Sequence, residues 1–341
     1  MDKSYQELKN KALKIKRSIS NNIWSAGIKN LDGFLEILSE SEYISAIELN
    51  LSRILKKSSK FDEKDLNDLK NKIETYNLAI SGLTDIFTDF EQTKISLFKS
   101  SELFENTLER IKEYIKYANI LQTKNITLNS LNFLIRGELA KSEADRQFLN
   151  LLEQIDNFII ENNFDVKIHI LPVVKEMRDY LNNYVEMVSL LEKKRLENIN
   201  ILVHLKTVFD TYSNDIKYFK DKHKFFSHFS VSDLNSLPPS FDNISLHNKI
   251  VNLSHYMKYK NDFFTLDVDS IKLFETLKIE NNPDKEGKER LLHYIHVFKE
   301  IYVVPIPLSP FCSELFPNLV YRHLSPEGPD KEHLIKPKKI T

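Results

Sequence analysis

The chain has 341 residues, 41% of them hydrophobic and 28% charged, and its 48 Lys and Arg against 49 Asp and Glu leave a formal charge of −1. That balance gives no general pull toward nucleic acid or anionic lipid, so nucleic acid is not an expected partner. Six glycines fall far below ordinary usage of about 7%, which disfavours dinucleotide-binding, P-loop and β-rich folds, where glycine supplies tight turns and phosphate loops.

Residues 5–57 show helical periodicity through Leu8, Ala12, Ile15, Ile19 and Ile23, then Phe34 and Leu38, then Ile44, Ile47, Leu51 and Ile54. The start, MDKSYQELKNKALKIKRS, is charged and amphipathic, without the apolar run of a signal peptide. After Asp62 apolar residues fall at 66, 69, 73, 76, 80, 83, 87 and 90, then 97, 104, 108, 111, 115 and 118, with faults at Lys94 and Ser101. One helix of that length would span on the order of 80 Å at about 1.5 Å per residue, so the spacing predicts an elongated molecule. A third helical pattern runs from Leu128 to Ile160, with Phe148, Leu152, Ile155 and Ile159 as its seam. A fourth passes through 177, 181, 184, 188 and 191, then 202, 205, 209, 212, 216 and 219.

Between the third and fourth patterns lies IIENNFDVKIHILPVVKEM, residues 159–177, where Val166, Ile168 and Ile170 alternate with Lys167 and His169 at strand spacing, before Pro172. Two long helical patterns with a short connection predict an antiparallel hairpin with this stretch at its tip. Residues 222–241, KHKFFSHFSVSDLNSLPPSF, read as a linker or a wrapped loop, helices are expected near 242–260, 268–279 and 286–300, and seven prolines from 305 onward predict an extended C-terminus. No run approaches the roughly 18 apolar residues of a spanning helix, so the chain is expected to be made soluble.

These patterns predict an all-α fold: an elongated helical bundle with a long antiparallel coiled-coil hairpin and a small apolar tip. The expected division is 1–125 as a tail bundle, 126–222 as the hairpin with its head near 158–177, 223–300 as returning helices, and 301–341 as an extended terminus.

Catalytic signatures are sparse. His293 and His296 lie one helical turn apart with Glu289 and Glu300 nearby, a spacing that suits zinc, yet no matching second pair accompanies them. A partly buried helix face is the simpler reading, and neither metal nor cofactor is expected. His223 and His228 flank Phe225 and Phe226 beside Lys222 and Lys224. A pH-responsive patch is one reading, and cations facing a helix C-terminus is the simpler one. Cys312, the sole cysteine, has no surrounding nucleophile signature and allows no internal disulfide. The tip carries more. Phe158, Ile159, Ile160, Phe164, Val166, Ile168, Ile170, Leu171, Val173 and Val174 put ten large apolar side chains within seventeen positions. Either the stretch is an ordinary loop or a β-tongue buried against the bundle, or it is a contact surface for membrane or partner.

This layout resembles the α-helical pore-forming toxins of the cytolysin A superfamily, and within it the B component of binary xenorhabdolysin-type toxins. The resemblance implies a non-enzymatic cytolysin that leaves the cell without a classical signal peptide. It would join a larger A component on a target-cell membrane, rearrange, and form a lytic hetero-oligomeric ring, with the ten tip residues as the membrane or partner contact. An intracellular coiled-coil scaffold or BAR-like membrane-binding protein is the alternative.

Overall fold

The computed structural model describes residues 16–20, 31–41, 44–55, 60–87, 96–128, 134–171, 180–181, 183–204, 216–231 and 263–266, with Leu292 and Ile295. Through these residues strands and helices alternate. β1 (Lys16–Ser20) precedes α1 (Leu31–Glu40), β2 (Ala46–Leu49), α2 (Leu51–Leu55), α3 (Glu63–Thr75) and β3 (Ala79–Leu83). Then come α4 (Ser101–Ile120), β4 (Asn125–Leu128), α5 (Lys141–Glu161), β5 (Lys167–Ile170), α6 (Tyr184–Leu191) and β6 (Ile199–His204). α7 (Ile216–Asp221), a 3-10 turn (His223–Phe225), β7 (Phe226–Val231) and β8 (Phe263–Leu266) follow. Each strand pairs in parallel with the next, and β8 closes on β1, so that Ser18 lies beside both Ala46 and Thr265. Eight parallel strands closed on themselves, with helices outside, form a (β/α)8 barrel.

The helix-to-strand turn shows how the sequence achieves this. α3 runs into Asn77, α4 into Gln122 and α5 into Asn163, all left-handed with φ of 58°, 55° and 54°. After α4 the Thr123 N–H donates to the Ala118 carbonyl at 3.0 Å, and after α5 the Phe164 N–H donates to the Ile159 carbonyl at 3.0 Å. This six-to-one closure satisfies a terminal carbonyl, ends the helix and redirects the chain into a strand. The helices then lay one apolar stripe on the barrel: Leu66, Leu69 and Ile73 from α3, Leu108, Ile111, Ile115 and Ala118 from α4, and Phe148, Leu152, Ile155 and Ile159 from α5. Ile19, Ile47, Ile126, Ile168, Ile170, Ile201, Val203 and Phe229 meet those stripes from the strands within one core.

The expected all-α bundle is thereby corrected, and with it the resemblance to the cytolysin A superfamily. The seam over 62–121 is three elements, α3, β3 and α4, because Asn77 ends the first helix and residues 79–83 pair with β2. No antiparallel hairpin forms between the third and fourth patterns. α5 ends at Glu161, and β5 carries the chain through the barrel wall between β4 and β6 before α6 begins. Strands of this one barrel come from each of the segments 1–125, 126–222 and 223–300.

Candidate active site

Along a strand, residues i and i+2 share a face, so alternate positions line the barrel interior. Here these are Ser18 and Ser20 of β1, Glu48 of β2, Asn125 and Thr127 of β4, and His169 of β5. Asn200, Leu202 and His204 of β6, His228 and Ser230 of β7, and Thr265 of β8 join them, with the small Ala46 and Gly82 at the same face. Register shifts opposite Ile47/Glu48 and at Ile201/Leu202 leave one extra residue each in β3 and β7, Ser81 and Ser227, whose side chains join the interior network. Barrel interiors are ordinarily filled by bulky branched side chains. This one is largely polar, and its central side chains are buried: Glu48 is 3% exposed, His228 1% and His169 0%.

Two hydrogen-bonded groups occupy it. In the first, Ser18 Oγ and Ser81 Oγ lie 2.5 Å apart, and Asn125 Nδ2 donates to the Ser81 carbonyl at 2.7 Å. That donation turns Asn125 Oδ1 toward His169, whose Nε2 is 3.0 Å away, while Ser227 Oγ lies 3.1 Å from His169 Nδ1. The amide oxygen only accepts, so Nε2 carries the ring proton and Nδ1 accepts from the Ser227 hydroxyl. Burial, then the neighbouring His228 ring and Lys167, push His169 well below the usual histidine range and keep it neutral.

In the second group, Glu48 Oε1 lies 3.3 Å from His228 Nε2, with Thr265 Oγ1 3.4 Å from the same nitrogen. β2 and β7 are separated by β8 and β1 around the closed barrel, so this couple reaches across the interior. Its imidazole sits 5.1 Å, centroid to centroid, from that of His169. The glutamate carboxylate rests over Gly82, where a Cβ would come within 3.0 Å of the Asn125 carbonyl oxygen and 3.3 Å of Glu48 Oε1. Any side chain at 82 would crowd it.

Among the described residues four interior atoms have no hydrogen-bond partner: Thr127 Oγ1, Asn200 Nδ2, His228 Nδ1 and Ser230 Oγ. Each such buried group costs about 1–3 kcal/mol, and most native buried polar groups are satisfied. Register brings them together. Thr127 and Asn200 flank His169 on the neighbouring strands, and Ser230 lies beside Thr265, two residues beyond His228. Unmet hydrogen-bonding capacity beside an acid–base couple is what a small polar molecule would complete. Among the described residues no group of three or more His, Cys, Asp or Glu is arranged to hold a metal ion.

The residues singled out from the sequence lie mostly elsewhere. Ile159 belongs to the helical stripe of α5, Val166 is 2% exposed, and Ile168 and Ile170 are fully buried on the outer face of β5. Phe158 and Phe164 are half-buried against the core, and Lys112 and Lys116 of α4 cover the Phe158 ring at 5.6 and 5.7 Å. Leu171 is half-buried, and Ile160 is 48% exposed. Val173, Val174, Glu289, His293, His296, Glu300 and Cys312 lie outside the described residues. His223 stands exposed in the 3-10 turn while His228 enters the barrel, so those two histidines form no shared patch. Glu48, Asn125 and the serines of the interior carried no local signal; His169 showed only as the polar member of an alternating run.

No family model and no curated protein sequence matches the chain. Solved structures do match its fold. D-psicose 3-epimerase with D-tagatose from Clostridium cellulolyticum H10 superposes with a TM-score of 0.67 at 12% identity, over 85% of this chain and 100% of that one. 3-Keto-D-glucoside 4-epimerase from E. coli gives 0.59 at 12% identity, over 82% and 99%. A probable 3-DHS dehydratase from Bacillus anthracis gives 0.56 at 13% identity, over 84% and 99%. These likenesses overturn the pore-forming reading. Binary toxin, larger A component, membrane ring and BAR-like scaffold all required a long helical hairpin or coiled coil, and the chain instead has the barrel that these enzymes share. The expectation of a non-enzymatic protein, drawn from the sparse catalytic signatures and the toxin resemblance, is corrected as well, since the matched structures are barrel enzymes. Among the described residues no helix is long and apolar enough to cross a membrane. What the chain is similar to is a set of (β/α)8 enzymes.

Proposed function

We propose that this chain is a barrel enzyme acting on a small, hydroxyl-rich carbonyl compound of the sugar class, moving a proton at the carbon beside the carbonyl. The observation that carries this reading is the Glu48–His228 couple, buried in the barrel interior among four polar atoms that lack partners. A carboxylate and an imidazole in hydrogen-bond contact are the groups general acid–base catalysis uses. Active sites of barrels of this kind sit at the C-terminal ends of the strands. Ser20, Thr127, His204 and Ser230 stand near those ends and supply hydroxyl and imidazole groups suited to a polyol. Arg110, the buried Lys or Arg side chain among the described residues, lies on α4 outside the barrel. The epimerase names of two of the matched structures support the same class. The reading needs neither a host membrane nor an export step.

The test is solvent exchange. The full chain is incubated in D2O with a panel of ketohexoses and 3-keto sugars, and proton NMR follows loss of the C–H signal beside the carbonyl. Exchange with at least one member is expected, lowered about 100-fold or more in His228→Gln. Folded wild-type protein that exchanges none of the panel would overturn the reading.

A further inference from the structure

We propose that the couple divides its work: His228 is the proton-transfer group and faces the substrate through Nδ1, while Glu48 is a positioning residue that holds the opposite ring nitrogen protonated. This rests on the carbonyl chemistry proposed above and assigns the atoms that perform it.

Two buried imidazoles 5.1 Å apart make the contrast. His169 is sealed at both nitrogens, by Asn125 and by Ser227, and has no lone pair left for a ligand. His228 is held at one nitrogen only. Its Nε2 faces the Glu48 carboxylate at 3.3 Å and the Thr265 hydroxyl at 3.4 Å, whereas Nδ1 is buried and unpartnered. A carboxylate accepting at this contact requires a proton on Nε2, and in the neutral ring Nδ1 then bears the lone pair. The glycine under the carboxylate leaves room for Glu48 to hold that position.

The step then balances within the site. Nδ1 takes the proton from the carbon beside the substrate carbonyl. The C–H electron pair forms a carbon–carbon double bond, and the carbonyl π pair moves onto oxygen, giving an enediolate. The new imidazolium is neutralised by Glu48, and the developing oxyanion has the unpartnered Asn200 amide and the Thr127 and Ser230 hydroxyls as donors. Return of the proton to carbon restores His228.

The first test needs no substrate. Long-range 1H–15N spectra of the labelled full chain, with His228 assigned by loss of its signals in His228→Gln, are expected to show a protonated Nε2 and a bare Nδ1. A proton on Nδ1 in the wild-type protein would overturn the assignment, whatever the outcome of the exchange panel. The second test uses the exchange reaction. Glu48→Gln is expected to lower kcat about 100-fold, through loss of the tautomer and of charge compensation, with KM within about twofold. A wild-type kcat in folded Glu48→Gln would sink the positioning role while leaving the enzyme reading intact.

Discussion

His169 shows how a single buried residue ties stability to pH. Its folded form stays neutral because burial, His228 and Lys167 all disfavour charge, while the unfolded chain titrates near the ordinary 6.5. Above that value neither state binds the proton. As pH falls through it, the unfolded state takes up a proton the folded state refuses, and stability declines. The urea midpoint is therefore expected to drop between pH 7 and pH 5, and His169→Gln, whose amide can still donate to Asn125, should flatten that drop. An unchanged slope in the variant would show that another group is responsible. Glu143 belongs to a lower window: Arg146 and Gln147 donate to it and hold it at about 2, so its contribution is lost only between 4.5 and about 2. Of the interior residues, His169 was visible within an alternating run, but Glu48 was not. Its partner His228 lies 180 positions away, beyond the reach of any local pattern.

At the scale of elements, the helical stripes of α3, α4 and α5 were legible because 3-4 spacing is a property of a few consecutive turns. Their ends were not. The left-handed stops fall on Asn77, Gln122 and Asn163, so glycine scarcity did not mark a lack of turns. Parallel strands joined by helices also need no tight hairpins, which is why few glycines are compatible with eight strands. A second device fixes the entry to β6: Asp156 of α5, 3% exposed, accepts from the backbone N–H of Glu197 at 3.0 Å and of Asn198 at 2.8 Å. Asp156→Ala strands both donors and is expected to lower unfolding stability by about 2–3 kcal/mol in chemical denaturation, with Asp156→Asn recovering part of it. A loss below about 0.5 kcal/mol would show that the turn holds without this anchor.

For the whole molecule, barrel closure decides what the apolar stretch around 166–170 does. On a hairpin tip its side chains would be free surface; in β5 they are the outer face of a strand roofed by helices. Ile170→Asp is accordingly expected to cost about 4 kcal/mol or more and to abolish the near-UV circular dichroism of the native state, because it places an unpaired charge in the core. Ile160→Asp, at a 48% exposed position in the same stretch, should stay within about 0.5 kcal/mol of wild type. Equal tolerance at both positions would contradict the barrel placement.

The amino-acid sequence by itself determined where helices carry an apolar stripe and that residues 166–170 alternate like a strand. Both are periodicities that a few neighbouring residues express. Only the tertiary structure decided that eight short strands pair in parallel and close, and which of their faces points inward. A period reports that one face is apolar and the other polar, not what covers either. In most barrels both faces of a strand are apolar, and the run announces itself as buried. Here the inner face is built mostly of Ser, Thr, Asn, His and Glu, so a buried interior reads locally like a solvated one, and the site it forms exists only once strands from residues 16 to 266 are brought side by side.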